Sequence, residues 1–306
     1  MPVLEFEGAK IAYTDSGQPA PAGESLGSPR EDSLRGAQRE VMVLLHCSAS
    51  SAAQWQPFLA AYGRAFRTVA IDLYGYGGSS PWPGDRPITL ADEARAVAAV
   101  IARLDAPVHL VGHSYGGAVA LHVALAHPGR LLSLAMIEPV AFYLLRGGAP
   151  QDFGYFREIN EIAQRVSSAV VSGDYTTGMA RFVDFWNGPG AWDSLSAEKR
   201  RELCRAVGTV ALNFWTTMTD STRRTALCQL RVPTLIVEGA RSRPETRRIC
   251  ELLRATLPKT RSAIIPGAGH MAPLSHPAAV NAVIARHAHR QTAVTEFPLR
   301  LRHNAA

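Results

Sequence analysis

The chain has 306 residues, of which 47% are apolar and 19% are charged, a composition typical of a globular protein. Its net charge of +6 comes from arginines scattered singly or in pairs, which does not indicate a nucleic-acid-binding protein. No apolar run is long enough to cross a bilayer, and the N-terminal residues do not resemble a secretory signal. We therefore predict a cytoplasmic protein without nucleic-acid or membrane partners, and we make no prediction of its oligomeric state.

The first fifteen residues predict a β-hairpin, because apolar and polar residues alternate on both sides of Glu7-Gly8. Residues 16–39 are rich in Pro, Gly and Ser and predict a flexible surface loop. The last residues, 291–306, form a tail for which the sequence gives no physical basis for a prediction.

Short apolar runs then alternate with segments of helical spacing. The runs that predict strands are 41–46, 68–73, 108–113, 132–138, 234–239 and 262–267, and the helical segments are 91–104, 117–128 and 243–258. Continuous Val, Ile and Leu runs are typical of parallel strands covered by helices on both faces. The alternation predicts an α/β fold with a doubly wound, mostly parallel sheet, formed by residues 1–139 and 229–290.

The segment 140–228 interrupts this alternation. Its pattern is mostly helical, and it holds 12 of the 23 aromatic residues of the chain. We predict a helical insertion in which most rings pack its own core and a few line an apolar pocket.

The motif with the clearest chemistry is Gly112-His113-Ser114-Tyr115-Gly116, which follows a predicted strand and opens a predicted helix. A serine on such a tight turn needs small neighbours two positions away, and the strained backbone exposes its hydroxyl. Ser114 is therefore the candidate nucleophile. The N-terminus of the following helix would place the backbone N–H of Tyr115 where an oxyanion forms.

With these residues the chain resembles the α/β-hydrolase superfamily over nearly its full length. LLHCSASSAAQW is similar to the family's oxyanion loop, AIDLYGYGGSS to its Asp-x-x-Gly-x-Gly-x-Ser turn, and GAGHMAPLSHP to the loop that carries the catalytic histidine. The resemblance implies that segment 140–228 is the family's helical cap. It also implies a second oxyanion donor, the backbone N–H of Ser48, although Cys47 stands where the family usually has glycine.

His270 is the candidate base, because it lies in a glycine-rich loop after a strand and comes last in the order nucleophile, acid, histidine. His113 is adjacent to the serine and is interpreted as structural. Cys47 is interpreted as a small packed residue and not as a nucleophile.

The resemblance places the acid three residues after Gly239, where this chain has Ser242. Glu138 at the end of an earlier strand could replace it, an arrangement similar to that of haloalkane dehalogenases. Because ligands bind at the carboxyl ends of parallel strands, Glu138 would stand near His270. Glu238 and Glu245 remain alternatives.

We therefore predict a serine hydrolase that cleaves an ester, lactone or thioester with an apolar acyl or aromatic group. A C–C bond hydrolase or an acyltransferase would use the same residues, and a non-catalytic binding protein of the same fold is the alternative from another class. The four cysteines are widely spaced and no HExxH occurs, so we predict neither a metal site nor a cofactor.

Overall fold

The computed structural model describes residues 1–17 and 39–296, with side chains as far as residue 291. Most of the predicted loop 16–39 and residues 297–306 of the predicted tail lie outside the described residues. Residues 291–296 continue the last helix.

The described residues form one eight-stranded sheet. Its strands are β1 (Val3–Phe6), β2 (Ala9–Asp15), β3 (Val41–Leu45), β4 (Arg67–Ile71), β5 (Val108–His113), β6 (Leu131–Ile137), β7 (Thr234–Gly239) and β8 (Thr260–Ile265). The strand order is β1-β2-β4-β3-β5-β6-β7-β8. The pairs β1–β2 and β2–β4 are antiparallel, and the remaining pairs are parallel. The predicted doubly wound, mostly parallel sheet is confirmed.

Helices cover both faces of this sheet. The core helices are α1 (Gln56–Tyr62), α2 (Leu90–Ala102), α3 (Tyr115–Ala126), α9 (Pro244–Thr256), the short α10 (Ala272–Ser275) and α11 (Pro277–Glu296). Successive residues of a strand point to opposite faces. Accordingly, Val43 packs in the cluster with α2, α3 and α9, whereas Leu44 packs in the cluster with α1 and α11.

The central strands β3, β5 and β7 are buried along their whole length, as the uninterrupted apolar runs predict. The expectation of burial on both faces is wrong for β8, where Ile264 is exposed. The reason is its position, because β8 is the edge strand and only β7 flanks it. The predicted strands and helices agree with the observed ones to within two residues at each end.

The chain between β6 and β7 is helical. It contains a 3₁₀ helix at Phe142–Gly147, then α4 (Pro150–Ser172), α5 (Tyr175–Asn187), α6 (Ala197–Arg205), α7 (Val207–Thr219) and α8 (Arg224–Gln229). We call helices α4 to α8 the helical insertion. Helix α4 packs on α5 and α7 within the insertion and on α9 of the core. Among residues 1–17 and 39–296, no helix is both long and apolar enough to cross a membrane.

Candidate active site

Ser114 lies on the turn between β5 and α3 in a strained backbone conformation. Its φ of 55° and ψ of −114° are rare for a residue with a side chain. The turn also demands glycine on both sides of the serine. A Cβ on Gly112 would overlap the Gly116 carbonyl group, and one on Gly116 would lie 2.5 Å from the His46 carbonyl oxygen. The sequence therefore folds here into the tight turn that the motif predicts.

The loop after β8 brings His270 to the serine. Its Nε2 lies 2.9 Å from Ser114 Oγ, and its Nδ1 lies 2.8 Å from Glu138 Oε2. Ser114 and His270 are separated by 156 residues in the chain, and His270 and Glu138 by 132. All three residues are buried, with 6%, 3% and 0% of their surfaces exposed. The structure thus joins a hydroxyl, an imidazole and a carboxylate in one unbroken hydrogen-bonded series.

Glu138 stands directly after β6, with a positive φ of 44°. Its second oxygen, Oε1, accepts hydrogen bonds from the Gly239 N–H at 2.7 Å and from the Ser242 hydroxyl. Burial opposes the charged form, but the hydrogen bonds from His270, Ser242 and Gly239 outweigh it and hold the pKa of Glu138 below its ordinary value. Ser242, which occupies the expected position of the acid, instead donates to the carboxylate that reaches His270.

The two alternative acids, Glu238 and Glu245, form ion pairs with arginines. Glu238 forms an ion pair with Arg254 at 3.0 Å, and Glu245 forms one with Arg243 at 2.8 Å. Among the described contacts, neither carboxylate bonds to His270. Of the three candidates, Glu138 has the geometry of a partner for the imidazole.

In the loop after β3, His46 fixes the direction of the Ser48 N–H. His46 Nε2 accepts the Leu73 N–H at 3.1 Å, so its proton is on Nδ1, which donates to the Cys47 carbonyl at 2.6 Å. In a trans peptide the carbonyl of one residue and the N–H of the next point in opposite directions. Fixing the Cys47 carbonyl toward His46 therefore turns the Ser48 N–H away from it.

The N–H groups of Ser48 and Tyr115 are both free to bind a ligand. In the part of the chain that the structure describes, neither donates to a protein acceptor. Both residues line the same cavity as Ser114 and His270. These are the two donors predicted for an oxyanion.

Cys47 and His113 also lie at this site, and both stay neutral. Burial raises the pKa of the Cys47 thiol to about 12, so the thiol is not ionised at neutral pH. Burial and the neighbouring His270 lower the pKa of His113 to about 3. Neutral His113 donates its Nε2–H to the backbone carbonyl of His270 at 2.8 Å and so holds the loop that carries the base.

A cavity of about 360 Å³ opens above Ser114. Its walls come from the core loops and from the helical insertion, and most of their surface is apolar. Among the insertion residues that line it are Phe182, Trp186, Leu203 and Phe214. A few of the aromatic side chains in the insertion therefore line a pocket, as the composition predicts.

Two lining residues did not stand out in the sequence. Trp186 of α5 stacks on the His270 ring, with the centroids 4.0 Å apart and the planes 24° from parallel. Asn213 of α7 accepts hydrogen bonds from Ser48 Oγ at 2.7 Å and from Tyr76 Oη at 2.6 Å. The aromatic composition marks the insertion as a whole, but nothing in the sequence indicates which ring meets the histidine.

Across residues 1–17 and 39–296, no group of three or more His, Cys, Asp and Glu side chains is arranged to hold a metal ion.

Comparison with known proteins gives a consistent result. A model of the alpha/beta hydrolase family matches residues 42–283. The chain is 28% identical to the pimeloyl-[acyl-carrier protein] methyl ester esterase of Edwardsiella ictaluri over 253 residues, which cover 79% of this chain and 90% of the relative.

Solved structures share the fold. An alpha/beta hydrolase enzyme from a Medee basin deep-sea metagenome library superposes with a TM-score of 0.72 at 16% identity, covering 94% of this chain and 96% of the other. The enol-lactonase from Burkholderia xenovorans LB400 superposes with a TM-score of 0.68 at 17% identity, covering 94% and 99%.

Proposed function

The chain belongs to the alpha/beta hydrolase family and is a hydrolase, and from this premise we propose that it is a serine esterase that works through an acyl-enzyme on Ser114. The substrate would be a carboxylic ester, lactone or thioester. The observation that carries the proposal is the series Ser114–His270–Glu138, which ends at a cavity. The relatives named as methyl ester esterases support the same reaction class.

In the acylation step, Ser114 Oγ attacks the substrate carbonyl carbon and His270 Nε2 takes the hydroxyl proton. A serine hydroxyl is a weak nucleophile at neutral pH and needs such a base within hydrogen-bond distance. Glu138 accepts the Nδ1–H, which leaves Nε2 free as the acceptor, and its charge stabilises the imidazolium that forms. The lowered pKa of Glu138 keeps this carboxylate ionised at neutral pH.

The charge that develops on the carbonyl oxygen would be bound by the N–H groups of Ser48 and Tyr115. Such donors act strongly because they are fixed before the reaction and are shielded from water. His270 then gives its proton to the leaving alcohol or thiol. A water molecule, activated by the same imidazole, attacks the acyl-enzyme and releases the acid.

We propose that residues 140–228 act as a cap over this centre and that residues 1–139 and 229–290 form the core domain. The insertion supplies the apolar wall of the cavity, which suits a substrate with an apolar acyl or aromatic group. The volume of about 360 Å³ is that of a small-molecule site.

Asn213 adds a polar contact to this apolar cavity. Its Oδ1 is occupied by Ser48 and Tyr76, and its Nδ2 has no acceptor among the described residues. We propose that Nδ2 binds an oxygen of the substrate near the scissile bond, because Ser48 carries one of the two oxyanion donors.

A non-catalytic binding protein of this fold would be favoured if no carboxylate replaced the acid that is absent at position 242. The contacts of Glu138 argue against that alternative, because Ser242 donates to this carboxylate and the carboxylate also bonds to His270. Acyl transfer and C–C bond hydrolysis would use the same side chains, and the products separate them from ester hydrolysis.

The test is to trap the acyl-enzyme. The protein is mixed with p-nitrophenyl butyrate, quenched in acid within the first turnovers and analysed by intact mass, with Ser114→Ala treated in parallel. We expect one butyryl group per chain in the wild type and none in Ser114→Ala, together with a burst of p-nitrophenol. Turnover that survives in Ser114→Ala, or a butyryl adduct on another residue, would contradict the proposed mechanism.

A second measurement separates hydrolysis from transfer. Butyrate should be the product in water, and added methanol should divert only the fraction set by its concentration. A methyl ester formed in preference to butyrate at low methanol concentration would instead indicate an acyltransferase.

A further inference from the structure

The helical insertion reaches the proposed base directly. The indole of Trp186 lies on the His270 ring, with the centroids 4.0 Å apart and the planes inclined by 24°. At this distance and angle the two rings meet face to face. An aromatic face attracts a cation through its quadrupole, and tryptophan does so most strongly. The contact therefore favours the imidazolium form of His270 over the neutral form.

Two further ring contacts hold Trp186 in place. Phe142 stacks behind it at 6.4 Å and 10°, and Phe185 meets its edge at 4.9 Å and 85°. Phe185 is in turn covered by the guanidinium of Arg243, whose Cζ lies 4.1 Å from the ring centroid. In α5, Trp186 thus contacts the proposed base, and its neighbour Phe185 contacts the loop after β7.

That loop also contacts the other end of the triad. Ser242, which precedes Arg243, donates its hydroxyl hydrogen to Glu138. Ser242 therefore contacts Glu138 and Trp186 contacts His270, and the residues next to them, Arg243 and Phe185, contact each other. Helix α5 thus contacts His270 directly and contacts the residue next to Ser242.

Three other titratable groups around His270 keep the same charge near neutral pH. Glu138 has a lowered pKa, His113 has a pKa of about 3, and Cys47 has one of about 12. Lys199 of α6 lines the same cavity and is paired with Glu202.

We propose that Trp186 is a positioning residue that acts through His270: its ring stabilises the imidazolium, and the Phe185–Arg243 contact keeps it there. The proposal rests on His270 being the base of the proposed esterase. Because the imidazolium forms in the transition state, Trp186 lowers the barrier as well as ordering the ring.

The first test uses Trp186→Leu, which keeps apolar bulk and removes the aromatic face, and Trp186→Phe, which restores a smaller face. With p-nitrophenyl butyrate we expect kcat/KM to fall about 3- to 30-fold in the leucine variant and less in the phenylalanine variant. The acidic limb of kcat/KM reports the base of the free enzyme. It should move to lower pH in Trp186→Leu by about 0.4 to 1.5 units.

If Trp186→Leu only loosened the packing of α5, the acidic limb should move to higher pH instead. Water admitted to the imidazole would favour its charged form and raise its pKa. An acidic limb at the wild-type pH or above it in Trp186→Leu would overturn the proposal. Trp215→Phe is the matched control, since Trp215 is a tryptophan of the insertion that is 55% exposed and does not line the cavity.

The second test needs no turnover, so it stays informative if no ester is cleaved. A protonated imidazole quenches the fluorescence of an indole on which it stacks. We expect a one-proton quenching transition as the pH falls in the wild type and in Trp215→Phe, and its loss in Trp186→Phe and His270→Gln. A transition that survives in His270→Gln would overturn the contact, whereas its loss there with no ester cleaved would overturn only the proposed function.

Discussion

Ser242 donates its hydroxyl hydrogen to one oxygen of Glu138, while the other oxygen of Glu138 accepts from His270 at 2.8 Å. The two residues lie 104 positions apart in the chain. The turn after β7 thus contributes a hydrogen bond to the proposed triad, although it does not carry the acid. A serine at this turn orders the carboxylate supplied by the turn after β6.

Removing the charge of Glu138 should have the largest effect among the acidic side chains. Glu138→Gln keeps the size of the side chain but no longer stabilises the imidazolium, so kcat should fall about 10²- to 10⁴-fold. Glu238→Gln is the control and should retain near-normal kcat in the same ester assay. Near-normal turnover of Glu138→Gln would exclude Glu138 as the acid.

An aspartate at position 242 should restore part of the activity that Glu138→Ala loses. In Glu138→Ala, an aspartate placed by Ser242→Asp would stand in the turn three residues after Gly239 and could reach the vacated Nδ1 of His270. We expect the double variant to be at least about tenfold more active than Glu138→Ala alone, since a recovered carboxylate restores part of the lost factor. Equal activity of the two variants would show that position 242 cannot supply the acid in this fold.

Ser242→Ala is the milder change. It removes one hydrogen bond to the charged form of Glu138, so the pKa of that carboxyl should rise. A hydrogen bond to a charged group contributes about 1.5–3 kcal/mol, which sets an upper bound of roughly 10²-fold on the loss of kcat/KM. The loss should be greatest at low pH. A variant with unchanged activity at every pH would show that the Ser242 bond does not support the carboxylate.

Glu93 should make stability depend on pH. It is buried beside Tyr115 Oη at 3.2 Å, and burial raises its pKa to about 8. The unfolded chain loses this proton near pH 4.5, so between pH 4.5 and about 8 the folded state binds more protons than the unfolded state. The free energy of unfolding should therefore fall as pH rises through this window.

The measurement compares urea unfolding of Glu93→Gln and the wild type at pH 5.5 and pH 8. Glutamine cannot ionise, so the variant should gain stability over the wild type as pH rises. Asp92→Asn is the matched control with the opposite sign, because its ion pair with Arg86 contributes to holding the pKa of Asp92 at about 2 and its loss should destabilise the protein at both pH values. An equal difference between Glu93→Gln and the wild type at the two pH values would contradict the raised pKa.

The sequence predicts the sheet and the turn at Ser114 well, for a physical reason. Runs such as 41–45 are buried on both faces, so their apolar pattern is uninterrupted, and the turn excludes any side chain at Gly112 and Gly116. The proposed acid could also be predicted, because Glu138 directly follows β6 at the carboxyl ends of the parallel strands, where ligands bind. These features depend on local sequence.

The contacts made by the helical insertion could not be predicted in the same way. Asn213 meets Ser48 across 165 residues, and Trp186 meets His270 through the docking of α5 on the core. Composition indicates that aromatic rings are present there, but their partners depend on how the helical insertion packs on the core. The exposure of β8 has the same origin, since an apolar run does not reveal which strand lies at the edge.

The measurement that tests the central claim most directly is labelling with a fluorophosphonate probe, followed by intact mass and peptide mapping. It is made on the wild type, Ser114→Ala, Glu138→Gln and Glu238→Gln. We predict one adduct per chain on Ser114, none in Ser114→Ala, labelling slowed at least about a hundredfold in Glu138→Gln, and a wild-type rate in Glu238→Gln. An adduct on another residue, or equal labelling rates in Glu138→Gln and the wild type, would contradict a Ser114–His270–Glu138 triad.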